Sequence, residues 1–265
     1  MHSWIPTPPD LAAIARAAGL EQAAIHIRRL APTPLAWAAD EGGWRYPASL
    51  IKVPLAVAAA VAAEEGRLGW TSSVAIEARN MTSNDAPSPL VPGYVATIEE
   101  LVTLMLQRSD NVATNQLFDV LGRRRATADM HRLGLRETFF RRKLSGALPL
   151  IDDPEADGRN SFPSAEAAAL FTAIAQDRVP SAARLRTILA TSWWDVKLSR
   201  GLAEGDRFAH KTGDTDEVSH DAGILTLADG SCWVLSVYTE LPSCDENDER
   251  FGAFMRALRP HLLAA

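Results

Sequence analysis

An α/β (α+β) fold is predicted, with a five-stranded antiparallel sheet drawn from both ends of the chain, terminal helices flanking it, and an all-helical lobe inserted between its strands. Three observations lead there. Apolar and polar residues alternate over 23–39 and again over 208–239, as half-buried strands require. Between these stretches the apolar residues recur instead at helical spacing, as in Ile98, Leu101, Val102 and Met105. The turn Ala228-Asp229-Gly230 is also too short for a crossover, so the strands on either side of it must run antiparallel. One domain spanning residues 1–265 is expected, with a sheet lobe from 1–46 and 203–265, a helical lobe from 47–202, and a substrate cleft between them.

Asp10 is placed to cap a short helix with apolar positions Leu11, Ile14, Ala15 and Ala18, which Gly19 closes. Ala23 to Leu30 and Leu35 to Ala39 read as strands joined at Ala31-Pro32-Thr33-Pro34, with Asp40-Glu41-Gly42-Gly43 as the next turn. From Ser49 to about Asp195 no strand is expected. Thr97 and Glu100 form a capping box ahead of one helix, and further helices are expected over about Val112–Leu121, Ala126–Leu133, Pro163–Ala175 and Ser181–Ser192. The irregular stretch from Arg141 to Ser161 is long enough to be a functional loop. Strands return at Phe208–Gly213, His220–Leu227 and Ser231–Thr239, and a helix from about Glu246 to Leu262 ends the chain.

A net charge of −6 with 23% charged residues argues against nucleic-acid binding. The basic cluster Arg123-Arg124-Arg125, Arg132, Arg136 and Arg141-Arg142-Lys143 reads mostly as solvated helix and loop surface, with an anionic partner as the minority reading. Cys232 alternates within a strand and Cys244 lies in a loop, so no disulfide framework is expected. The longest apolar run, Leu50 to Ala63, is too short to cross a bilayer, and the first ten residues lack the pattern of a leader. A cytoplasmic monomer without a membrane partner is the expectation, or a periplasmic or secreted chain if a leader has been removed. The six histidines are scattered, and neither metal nor cofactor is expected.

The chemistry is expected to start at Ser49-Leu50-Ile51-Lys52. Three residues apart on one helical face, the amine of Lys52 can sit over the hydroxyl of Ser49 as its base. The helix start offers backbone N–H groups to an alkoxide or acyl oxyanion. The long apolar run that follows buries the helix, so Lys52 needs a polar partner inside, and Pro54 should tighten or kink the first turn. Two further clusters are Ser109-Asp110-Asn111, between helices, and Lys211-Thr212-Gly213, on a strand.

These three clusters, in this order and on these elements, resemble the class A β-lactamase and penicillin-binding (DD-peptidase-like) superfamily of serine hydrolases. The resemblance covers nearly the whole chain and implies a β-lactamase/transpeptidase-like fold. It implies that Ser49 is acylated, that Lys52 accepts its proton, that Ser109 relays a proton to the leaving group, and that Asn111 binds the substrate's amide. It implies further that Lys211 and Thr212 hold a substrate carboxylate, that Gly213 keeps the strand open, and that the backbone N–H groups of Ser49 and Asp214 form the oxyanion hole. Asn115 matches the family asparagine that supports the omega loop, and Arg159 to Pro163 resembles the exit of that loop. The family's loop glutamate, which activates the deacylating water, has no counterpart. Its position falls between Ser145 and Ala147, and the nearest acids are Asp152, Asp153 and Glu155. The substrate would be a small molecule or peptide with a carboxylate, acylating Ser49 as a β-lactam, amide or ester, with weak β-lactam turnover. Alternatives are an esterase or DD-peptidase-like hydrolase, and a non-catalytic ligand-binding protein on the same fold.

His220 is open to two readings, a place where relatives put a carboxylate-binding arginine, or a packed strand histidine. His210 should point to the opposite sheet face from Lys211 and be structural. Asp216 and Glu217 read as turn surface, and Trp193-Trp194 as core.

Overall fold

The computed structural model describes residues 8–40 and 43–265, so the first seven residues and the middle of the turn expected at 40–43 lie outside the described residues. Asp10 accepts a hydrogen bond from the Ala13 N–H and opens α1 (Leu11–Ala17). The hairpin β1 (Ala24–Ala31) and β2 (Leu35–Asp40) joins the meander β5 (Arg207–Asp214), β6 (Ser219–Thr226) and β7 (Cys232–Thr239) in one antiparallel sheet. The strand order is β2-β1-β7-β6-β5, so the two ends of the chain meet at the β1–β7 ladder.

Alternation along β7 explains why both faces of the sheet are covered. Trp233, Leu235 and Val237 point to one side, where Phe251, Phe254, Met255 and Leu258 of α8 (Asp245–Ala264) complete a cluster with Leu11 of α1. Val234 and Tyr238 point to the other, against the helices. On that side α6 (Ser164–Ala175) lies across β1, β6 and β7. Beneath it α2 (Lys52–Glu64), buried continuously from Lys52 to Ala62, touches α3 (Ile98–Gln107), α4 (Asn111–Leu121) and α5 (Arg123–Arg132). A helix apolar all round can only be central. The last helix of this set is α7 (Ala182–Leu189).

Several expectations need correction. Trp193, expected in the core, is 57% exposed, with the Arg108 guanidinium over its ring. The middle of the chain does contain strands, β3 (Ser73–Ala75) and β4 (Val95–Thr97), which pair with each other. At three residues each they are too short to show a period. The third helix starts at Arg123 rather than near Ala126, because Gly122, at φ +74°, both ends α4 and starts α5. About half of the basic cluster is paired within the protein: Arg123 with Asp153 and Glu155, Arg125 with Glu65, Arg132 with Glu65 and Asp129, and Lys143 with Asp119.

His210 lies inside the sheet lobe, with Nδ1 2.7 Å from Asp221 Oδ1 and Nε2 2.8 Å from Asp195 Oδ1. Burial alone would lower its pKa, but the two carboxylates overturn that and raise it from 6.5 to about 9. The imidazolium's contribution to stability is therefore complete below pH 6.5 and is lost as pH rises through about 9. A His210→Gln variant should lose more melting temperature at pH 6 than at pH 10, measured against the parent in the same buffers. An equal loss at both would show that the ring is neutral.

Candidate active site

A tight 3-10 turn, Ala48–Ile51, carries Ser49 into the start of α2. The sequence expectation of a tightened first turn ahead of Pro54 is thus what is seen. Ala48 has φ +47°, a strained conformation for a residue with a Cβ, and strain of this kind persists where surroundings over-determine the chain. Ser109 shows the same feature at φ +60°.

Lys52, fully buried, collects the first two clusters around its amine. Its Nζ lies 2.9 Å from Ser49 Oγ, 3.0 Å from Ser109 Oγ, 2.5 Å from the Ser109 carbonyl and 2.7 Å from Asn111 Oδ1. The Asn111 amide is oriented by its Nδ2, which donates to the Ser83 carbonyl at 3.0 Å, so the oxygen faces the lysine. The carbonyl and the amide oxygen can only accept. A neutral amine has two N–H donors and one lone pair, and these satisfy the two acceptors while leaving the lone pair for a serine hydroxyl. Burial, and next to it the charge of Lys211, lower the Lys52 pKa well below its ordinary value. Lys52 is therefore a base in waiting beside Ser49.

Asp110 shows why Ser-Asp-Asn sits where it does. Its side chain caps α4 by accepting from the Ala113 N–H at 2.9 Å, which fixes Ser109 and Asn111 on either side of a helix start.

On β5, Lys211 is fully buried and donates to the Thr212 carbonyl at 2.9 Å. Burial lowers its pKa to about 8, against support from Asp214 and Asp221. Thr212 is also buried. Gly213 is needed for close approach: a Cβ there would stand 2.9 Å from the Pro47 carbonyl oxygen and 3.3 Å from the Ser49 nitrogen. The end of β5 thus lies against the turn that holds Ser49. We expect Gly213→Val to push the two apart and slow acylation of Ser49 by about 100-fold, with the fold retained by circular dichroism. Unchanged acylation would mean that this contact does not shape the site. Asp214 closes the strand, its carboxylate held by Lys197 Nζ at 2.8 Å and Ser219 Oγ at 3.1 Å.

His220 is not brought to this group as a cation. It is 0% exposed, its Nε2 lies 2.8 Å from the Tyr46 carbonyl, its Nδ1 accepts from the Thr239 N–H at 3.1 Å, and its ring stacks on Tyr238. Burial holds its pKa down at about 4. Of the two placements that the sequence left open, this is the packed strand histidine; a neutral ring with both nitrogens engaged offers a carboxylate nothing.

The irregular stretch 141–161 is pinned at its neck, where Phe139 and Ser161 exchange backbone hydrogen bonds, and by Asn160, whose Oδ1 accepts from the Arg141 and Arg142 N–H groups. Asn115 clasps Leu144 from both sides, Nδ2 to its carbonyl at 2.9 Å and Oδ1 from its N–H at 2.7 Å. Asp153 and Glu155 are both taken by Arg123. Sequence reasoning missed Lys197, for which no local pattern exists, and the Ser83-Asn84 segment that orients Asn111. Among the described residues no group of His, Cys, Asp and Glu is arranged to hold a metal, and no helix is long and apolar enough to cross a membrane.

Comparison with known proteins gives one consistent picture. A profile of the Beta-lactamase enzyme family matches residues 9–258. Solved structures with the same fold include PBP-A, at 23% identity and TM-score 0.83 over 99% of this chain and 100% of that one. A single-site mutant of PBP-A, in acyl-enzyme complex with penicillin G, has 23% identity and TM-score 0.82 over 98% and 100%. A β-lactamase from Sphaerobacter thermophilus has 25% identity and TM-score 0.80 over 96% and 97%. No curated protein sequence matches significantly.

Proposed function

The chain belongs to the Beta-lactamase enzyme family, and we propose that it is a serine hydrolase that forms an acyl-Ser49 intermediate with carboxylate-bearing β-lactams, amides or esters. The observation that carries this reading is the convergence at the buried Lys52 amine, whose Nζ lies 2.9 Å from Ser49 Oγ and 3.0 Å from Ser109 Oγ. In the first step the Ser49 proton passes to Lys52 Nζ as Oγ attacks the substrate carbonyl. The backbone N–H groups of Ser49 and Asp214 stabilise the resulting oxyanion. The Lys52 proton then reaches the leaving nitrogen or oxygen through Ser109 Oγ, which lies 3.0 Å from Nζ. Lys211 and Thr212 receive the substrate's carboxylate, and Asn111 its amide.

Slow turnover of β-lactams is part of the proposal. Asn115 stands one helical turn from Asn111 on the same face of α4, so the loop residue that it clasps borders the site. That residue is Leu144, one position before the stretch reached by counting along the sequence, and it is apolar. The PBP-A mutant solved with penicillin G carries glutamate where that protein has leucine. Without a loop carboxylate, water has no base beside the ester, which favours a penicillin-binding protein, peptidase or esterase over a dedicated resistance enzyme.

The test is turnover of a chromogenic cephalosporin and of a p-nitrophenyl ester by the parent chain and by Ser49→Ala. The proposal expects ester turnover, a cephalosporin burst of one equivalent with a slow steady state, and loss of both in the variant. Activity surviving in Ser49→Ala would refute it.

A further inference from the structure

We propose that Lys197 is a positioning residue that fixes the carboxylate of Asp214 and so reserves the Lys211 ammonium for the carboxylate of the substrate. The inference rests on the serine-acylation reading above and adds the means by which this site recognises an anionic acyl donor.

Lys197 is 1% exposed, and its Nζ sits between two acids, 2.8 Å from Asp214 Oδ1 and 2.7 Å from Asp248 Oδ1. Asp248 comes from the first turns of α8, whereas Asp214 ends β5, immediately after Gly213. The backbone on either side of Lys197 is tied down. Asp195 is bound by His210 Nε2, and the Leu198 N–H donates to Asp221 Oδ2 at 3.1 Å. The ammonium is therefore delivered to a fixed point by strands β5 and β6 rather than by its own flexible stem.

The charge of Asp214 favours the Lys211 ammonium, and that of Lys197 opposes it. Among the described residues Lys211 makes a single hydrogen bond, to a backbone carbonyl, so its remaining N–H donors are open to an anion. Asp214 is part-exposed and three residues further along β5, and without its partners its charge is uncompensated. It would compete with a substrate carboxylate for that ammonium and repel the substrate as it arrived. With Lys197 and Ser219 both donating to Oδ1, Asp214 is held in place and its charge is offset. Removing Lys197 would take away the cation that both Asp214 and Asp248 contact.

The experiment compares second-order acylation rates of the full chain with a fluorescent penicillin, which carries a carboxylate, and with a neutral p-nitrophenyl ester. Two variants differ only in the charge of Asp214. Lys197→Met/Asp248→Asn leaves that acid alone, and Lys197→Met/Asp248→Asn/Asp214→Asn neutralises it as well. The first is expected to lose about tenfold or more of the penicillin rate relative to the ester rate. The second is expected to regain most of that selectivity, which a merely structural defect would not allow. Both replace the ion triad with uncharged groups of similar size at its buried end, and the part-exposed Asp214 can hydrate, so both should fold. Equal losses on the two probes, or no recovery on neutralising Asp214, would overturn the inference while leaving Ser49 acylation intact. A parent chain acylated by neither probe would refute the serine-acylation reading and this inference together.

Discussion

Lys52→Met is expected to slow acylation of Ser49 by about a thousandfold, because it removes the general base while keeping the length and much of the volume of the side chain. The substitution also strands two acceptors, the Ser109 carbonyl and Asn111 Oδ1, which now bond to Nζ. Each unsatisfied buried group costs about 1–3 kcal/mol, so the melting temperature should fall as well. The two effects separate by measuring acylation well below the variant's melting temperature. A variant that is folded yet still reacts within tenfold of the parent would remove Lys52 from the mechanism. The pH profile of the parent tests the same base without mutation. Since the Lys52 pKa is lowered by burial and by Lys211, the acylation rate should rise with pH as Lys52 loses its proton. Lys211, at about 8, must stay charged to hold a carboxylate, so penicillin acylation should fall again above that pH. A neutral ester should show the rising limb alone.

Leu144→Glu is the second substitution of large effect, and it should act after acylation rather than before. Leu144 is clasped by Asn115 and buried at 7% exposure, so a carboxyl there is expected to have a raised pKa suited to a general base. Hydrolysis of the acyl-Ser49 ester should quicken by about 100-fold, while the acylation rate changes little. Burying the acid should lower stability, since an unpartnered carboxyl replaces a packed side chain. Pre-steady-state and steady-state cephalosporin kinetics would separate the two steps. An unchanged adduct lifetime would show that the loop residue held by Asn115 does not face the ester.

Much of this architecture was legible in the sequence because its signals are local. Alternation in 23–39 and 208–239 marks the strands, Asp10 and Thr97 mark helix starts, and the apolar run after Lys52 marks the central helix. Ser49, Lys52, Ser109 and Asn111 could be nominated because each belongs to a short pattern, and the structure brings them to one amine. What stayed hidden depends on contacts between distant segments. Lys197 meets Asp248 across 51 residues, and no periodicity foretells a buried ion triad. His220 was ambiguous because its role depends on Tyr46 and Tyr238, neither near it in the chain. Counting along the sequence also could not see that Asn115 clasps Leu144, one position before the stretch it reached. Strands β3 and β4 exist only through each other, and three residues carry no period.

The central claim is that Ser49 Oγ, beside the buried amine of Lys52, is the atom acylated. Intact-mass and peptide-map analysis after incubation with penicillin G at pH 7 tests it most directly. The account predicts one added penicilloyl group on the peptide containing Ser49, outlasting manual sampling and absent in Ser49→Ala. An adduct on any other residue would contradict it.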